Sequence, residues 1–221
     1  MVMEFFRRGS QSELVEIEAT LVRMLRDGHL VFTTATDALF GGGKSKETRR
    51  EVRMTDKGIN EAQQDVRRAL LVHAAVNQAE LPLVLQYASI VKDAERIGDY
   101  SKNLYDLVKF GANFEGAPDQ AELERYRDAV ANLILEAANV FDAKDAVAAQ
   151  RLIGKANGFL DDYDDHVKAA YRSTGETSDA VARALYFRFL KRTTAHVMNV
   201  LTSLVQPLDR LDYYDEAKED Q

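Results

Sequence analysis

Apolar residues recur along this chain at alternating steps of three and four, the spacing that puts them on one face of an α-helix. Between 47 and 79 the rhythm runs through Ile59, Ala62, Val66, Ala69, His73 and Val76. Between 82 and 110 it runs through Val84, Tyr87, Val91, Ala94, Gly98, Ser101, Tyr105 and Val108. A third stretch carries Leu190, Thr194, Val197, Leu201, Leu204, Leu208 and Leu211. The pattern predicts six helices, at roughly 11–40, 47–79, 82–110, 119–142, 144–172 and 179–213. Ser12 and Asp179 are the expected N-caps of the first and last, and Pro82 marks the restart before the third. GGGKSK at 41–46 reads as a linker, and GANFEGAP at 111–118 breaks the chain into residues 1–110 and 111–221.

The two parts repeat. A shift of 96 positions carries Ala94, Gly98, Ser101, Tyr105 and Val108 onto Leu190, Thr194, Val197, Leu201 and Leu204. The same shift superposes Arg96 on Arg192 and Asn103 on Asn199. Seams with this rhythm belong to helices packed in bundles, and short linkers make neighbours antiparallel. The expected fold is all-α, two tandem three-helix bundles related by pseudo-twofold symmetry.

Composition supports long helices and removes several chemistries. Three prolines and twelve glycines in 221 residues are sparse breakers. With no cysteine there is neither a disulfide nor a thiolate metal site. No apolar run reaches the roughly 18–20 residues that span a bilayer, and MVMEFFRRGS lacks the layout of a secretory signal. A soluble, cytoplasmic protein is expected, with Phe5 and Phe6 packing at a helix end. Residues 1–110 carry sixteen basic and sixteen acidic side chains, whereas 111–221 carry thirteen and twenty, a net of −7. That acidic half argues against nucleic-acid binding. The cations Lys44, Lys46, Arg49, Arg50 and Arg53 cluster in the first half, which is expected to face acidic partner or membrane surfaces.

The stretch richest in chemistry is DAERIGDYSKN, residues 93–103. Glu95, Asp99 and Asn103 stand at i, i+4 and i+8, on one stripe bordering the apolar seam. Carboxylates beside a core need a partner. One solution is an ion pair with Arg96 or Lys92 on the same helix. The other uses Asp56 and Asn60, an i, i+4 pair on the preceding helix. If the two helices pack antiparallel, Asp56, Asn60, Glu95 and Asp99, aided by Asn103, offer oxygen ligands to a divalent cation. Other clusters carry less. GGGKS at 41–45 has Ala38 where a phosphate-binding loop needs its first glycine. DDYDD at 161–165 reads as a solvated face. His29, His73, His166 and His196 are scattered, with none three residues after a glutamate, and His73 reads as a core residue. No serine, histidine and acid spacing suggests nucleophilic catalysis.

ERIGDYSKN resembles the signature of the PhoU family of phosphate-signalling regulators, and TDKGINEAQQDVRRAL at 55–70 is similar to that family's second helix, with Asn60 where a carboxylate is usual. With the internal repeat, the resemblance covers nearly the whole chain. It implies a non-catalytic negative regulator of phosphate uptake and signalling, with no organic cofactor. It implies contacts with the ATPase subunit of a phosphate transporter and with a membrane sensor histidine kinase. The protein would be peripheral to the membrane at most and form a homodimer. A magnesium, manganese, iron or zinc ion at Asp56, Asn60, Glu95, Asp99 and Asn103 is the accompanying expectation. The second half departs from the signature: Lys191 and Ala195 replace Glu95 and Asp99, and Ala156 and Leu160 replace Asp56 and Asn60. The expected metal site is therefore confined to the first bundle. Two alternatives are an accessory protein of a low-affinity phosphate permease and a metal-binding or metalloenzyme bundle.

Overall fold

The computed structural model describes residues 2–42 and 45–211, with side chains from residue 13 onward. Phe5, Phe6 and Lys44 lie outside the described side chains. Six α-helices account for most of the described chain: α1 (Val2–Asp37), α2 (Lys46–Val76), α3 (Leu81–Lys109), α4 (Gln120–Ala143), α5 (Ala146–Tyr171) and α6 (Thr177–Thr202). Short 3-10 turns at Ala38–Phe40, Gln78–Glu80 and Leu208–Arg210 complete it, and the described residues contain no strand.

Local chemistry sets the helix ends. Ser45 Oγ accepts the amide of Thr48 at 2.9 Å and caps α2, and Asp145 does the same for Ala148 at the start of α5. Pro82 sits in the first turn of α3, where its missing N–H is no loss. Three expectations are corrected. The backbone is already helical well before residue 12, so Ser12 does not cap α1. Helix α6 begins at Thr177, and Asp179 lies in its first turn, bound to Arg183 Nε at 2.7 Å. Helix α6 also ends at Thr202, not near 213. There the hydroxyls of Thr202 and Ser203 donate to the carbonyls of Asn199 and Val200 at 2.7 and 2.6 Å, and Pro207 follows in an extended conformation. Leu208 is consequently in a surface turn.

Helices α1, α2 and α3 pack on one another, as do α4, α5 and α6. The two sets meet through α1 against α4 and α3 against α6, so each contact in one half has its counterpart in the other. Buried residues of both sets form one continuous core. Tyr186 is buried at its junction: its ring meets Phe114 and Phe40 at 5.3 and 6.2 Å, and its hydroxyl donates to the Leu123 carbonyl at 2.8 Å. Helix α3 serves two neighbours at once. Its seam from Val84 to Val108 is buried throughout, and Ile90, Ile97, Leu104 and Leu107 bury further faces. On α2 the buried line is Val52, Ile59, Ala62, Val66, Leu70 and His73; Leu70 is buried beside the half-buried Ala69 of the expected seam, and Val76, also expected on it, is exposed. No helix among the described residues is long and apolar enough to cross a membrane.

Candidate functional site

The motif stripe of α3 faces α2 at a close approach made by Gly98. A β-carbon at Gly98 would stand 3.0 Å from Ile59 Cδ1 and 3.9 Å from Asp56 Oδ1. This proximity brings Asp56 of α2 alongside Asp99 of α3, both largely shielded from solvent. Lys102 bridges them. Its ammonium donates to Asp56 Oδ1 and Oδ2 at 3.1 and 2.9 Å and to Asp99 Oδ1 at 3.1 Å. Burial works against the Lys102 charge, but the bonds to Asp56 and Asp99 outweigh it and hold the ammonium above its ordinary range. Arg96 Nη1 takes the other Asp99 oxygen at 3.0 Å, and its Nε lies 3.8 Å from Glu95.

Glu95 is the strained member. Burial pushes its carboxyl above the usual range; Asp99 adds to this, Arg96 opposes it, and Asp56 contributes further. Asn60 turns its amide back to donate to the Asp56 carbonyl at 2.9 Å, so it faces its own helix. Asn103 is half-buried on the same stripe, with no hydrogen bond into the cluster.

These contacts decide how the donor set fits a divalent cation. The position between Asp56 and Asp99 is filled by the Lys102 ammonium, Asn60 is occupied locally, and no group of three or more histidine, aspartate or glutamate side chains among the described residues is arranged to hold a metal. As they stand, Asp56, Asn60, Glu95, Asp99 and Asn103 fit a lysine and an arginine instead. The ion-pair expectation holds for Arg96, while the main partner is Lys102. The signal for it was available: Lys102 stands three residues beyond Asp99, one turn along the same face.

Other polar clusters lie outside the motif stripe. Asp93 accepts from Asn199 Nδ2 at 3.0 Å and lies 2.7 Å from His196 Nδ1, across the α3–α6 contact. Tyr100 stacks on the His196 ring at 5.5 Å. His73 is fully buried between Glu13 and Glu80, with its ring nitrogens 3.1 and 2.7 Å from carboxylate oxygens, so it is a satisfied core residue. The DDYDD run is only partly a solvated face, because Tyr163 within it is buried and Asp164 binds Lys191 at 2.7 Å.

With this geometry in view, residues 21–108 match the model of the PhoU domain, a span covering the C-terminal part of α1, all of α2 and all but the last residue of α3. That stretch is similar to the PhoU domain family. The fold likeness extends across both halves. A phosphate transport system regulatory protein PhoU from Streptococcus pneumoniae superposes with a TM-score of 0.77 at 19% identity, covering 95% of this chain and 98% of that one. PhoU from Pseudomonas aeruginosa superposes with a TM-score of 0.72 at 21% identity, covering 90% and 98%. No curated protein sequence matches this chain. The matched span contains the Asp56–Lys102–Asp99 cluster, and the fold likeness extends beyond it over the second bundle.

Proposed function

We propose that this protein is a non-catalytic regulator of phosphate uptake and phosphate-responsive signalling. The observation that carries this reading is the match to the PhoU domain at residues 21–108, within a whole-chain fold like that of phosphate transport regulators. The protein acts by binding, with the ATPase subunit of a phosphate transporter and a membrane sensor histidine kinase as partners. It works at the cytoplasmic face without entering the bilayer. The interior of each bundle is packed mainly with apolar side chains, and the carboxylates between α2 and α3 are paired with Lys102 and Arg96, which suits a rigid adaptor better than a reacting centre. Deleting the gene should leave phosphate uptake and phosphate-responsive transcription active in phosphate-rich medium. Affinity purification of the tagged chain from its host should recover the transporter ATPase or the kinase. Normal repression in the deletion strain would overturn the reading. Recovery of a single-component phosphate permease in place of the ATPase and kinase would replace it with the accessory-protein alternative.

A further inference from the structure

Beside the carboxylate cluster, the N-terminal part of α2 and the C-terminal part of α3 leave a cleft of about 250 Å³ between them. Arg49 and Arg53 line one wall, and Lys102 and Lys109 the other, with Asp106 the sole carboxylate. Asp106 is bound to Lys109, and Lys102 is held by Asp56 and Asp99, so the cations of this cleft without an ion pair among the described residues are Arg49 and Arg53. Arg49 and Arg53 also line a second cleft of about 300 Å³ with Lys46 and Arg50, so the two form a continuous basic strip. Among the described residues, Lys46, Arg49, Arg50 and Arg53 have no carboxylate within ion-pair distance, and all four are exposed. They stand as like-charge pairs one turn apart, Lys46 with Arg50 and Arg49 with Arg53, an arrangement that destabilises a helix. An anion seated between the two helices would remove that repulsion.

We infer that this cleft is a binding site for an oligophosphate chain. Size selects the ligand class. Lys46 and Arg53 are seven residues apart on α2, about 10 Å along the axis. A single phosphate is too small to meet cations at both ends, whereas linked phosphoryl groups follow the strip. The two guanidinium forks suit phosphoryl oxygens in pairs. The floor offers no ring for a nucleobase, because Tyr105 and Val52 are buried. The chain itself is therefore recognised, and a nucleoside triphosphate would bind through its phosphates alone. This inference stands on the cleft and not on the partners proposed above, so either can fail without the other.

The test uses the whole protein in thermal-shift and calorimetric titrations with orthophosphate, tripolyphosphate and ATP at fixed ionic strength. Tripolyphosphate should raise the melting temperature and bind at least tenfold more tightly than orthophosphate. ATP should bind no more tightly than tripolyphosphate. The double variant Arg49→Gln, Arg53→Gln should lose the response yet melt, without ligand, at or above the wild-type temperature, because its like-charge repulsion is gone. Arg67→Gln with Arg188→Gln, the same charge change elsewhere, should keep the response. Equal response to orthophosphate and tripolyphosphate, retention of binding in the Arg49/Arg53 variant, or binding to anionic-lipid vesicles without any response to tripolyphosphate would overturn the inference. Tighter binding of ATP than of tripolyphosphate would overturn the claim that the chain alone is read.

Discussion

The α2–α3 pair and the α5–α6 pair do the same structural work with opposite materials. Where the first has Asp56 and Asp99 held by Lys102, the second has Ala156 and Ala195, both buried and apolar. Leu160 is buried where Asn60 turns onto its own helix. At the position of Glu95 stands Lys191, whose partner Asp164 lies on α5. A bundle of this fold therefore closes without the carboxylates. Their presence in one half alone means that packing of this kind does not depend on them. A buried or half-buried ion pair is weak evidence of stabilisation, because desolvation offsets much of its attraction.

The largest expected effect falls in the core that the two halves share. Tyr186→Ala removes a buried ring and its hydroxyl bond to Leu123, and should destabilise the protein by about 3–5 kcal/mol. Chemical denaturation should then show one transition for both halves. Two separated transitions would mean that the bundles stand independently and that the comparison concerns two proteins in one chain. Lys102→Ala should be smaller, about 1–2 kcal/mol, because it strands Asp56 and Asp99 without their ammonium in a partly solvated site. Replacing Asp56, Asp99 and Lys102 together with alanine, as the second bundle does at two of these places, should cost less than Lys102→Ala alone. Denaturant midpoints decide this, and a larger loss in the triple variant would show that the cluster is a structural clasp after all.

Glu95 sharpens the contrast through pH. Its carboxyl binds a proton more tightly in the folded chain than in the unfolded one. The associated stability is full below the ordinary carboxylate range and is lost as pH rises through the elevated folded value. Glu95→Gln should therefore raise the melting temperature at pH 7 and flatten its decline from acid to neutral pH. An unchanged pH profile would place Glu95 in an ordinary solvated environment. The smallest effect is expected at the second bundle's substitute pair. Lys191→Ala breaks a single, partly exposed bridge to Asp164 and should change stability by about 0.2–0.5 kcal/mol.

The sequence made the helices legible because seams at steps of three and four survive whatever packs against them. Every seam position of α3 from Val84 to Val108 is buried. The C-terminal end was misread for the same reason: Leu204, Leu208 and Leu211 continue the rhythm, yet hydroxyls at Thr202 and Ser203 and the proline at 207 end the helix first. Of the candidate site, periodicity found the stripe but not its occupant. A lysine one turn beyond an aspartate looks like any surface pair until Gly98 is seen to bring α2 close enough for Asp56 to share it. Nor did it reveal Asp93, whose partners His196 and Asn199 lie more than a hundred residues away on α6.

The pairing of α1 with α4 and α3 with α6 has a consequence for quaternary structure. Each bundle covers an apolar face with the other half of the same chain, and that face is unavailable to a second molecule. Two chains that associate must meet on surfaces the internal repeat leaves open. One such surface carries Leu71, Val72 and Val76 near the end of α2, exposed in the single chain. The duplication thus fixes which side of the molecule an oligomer cannot use.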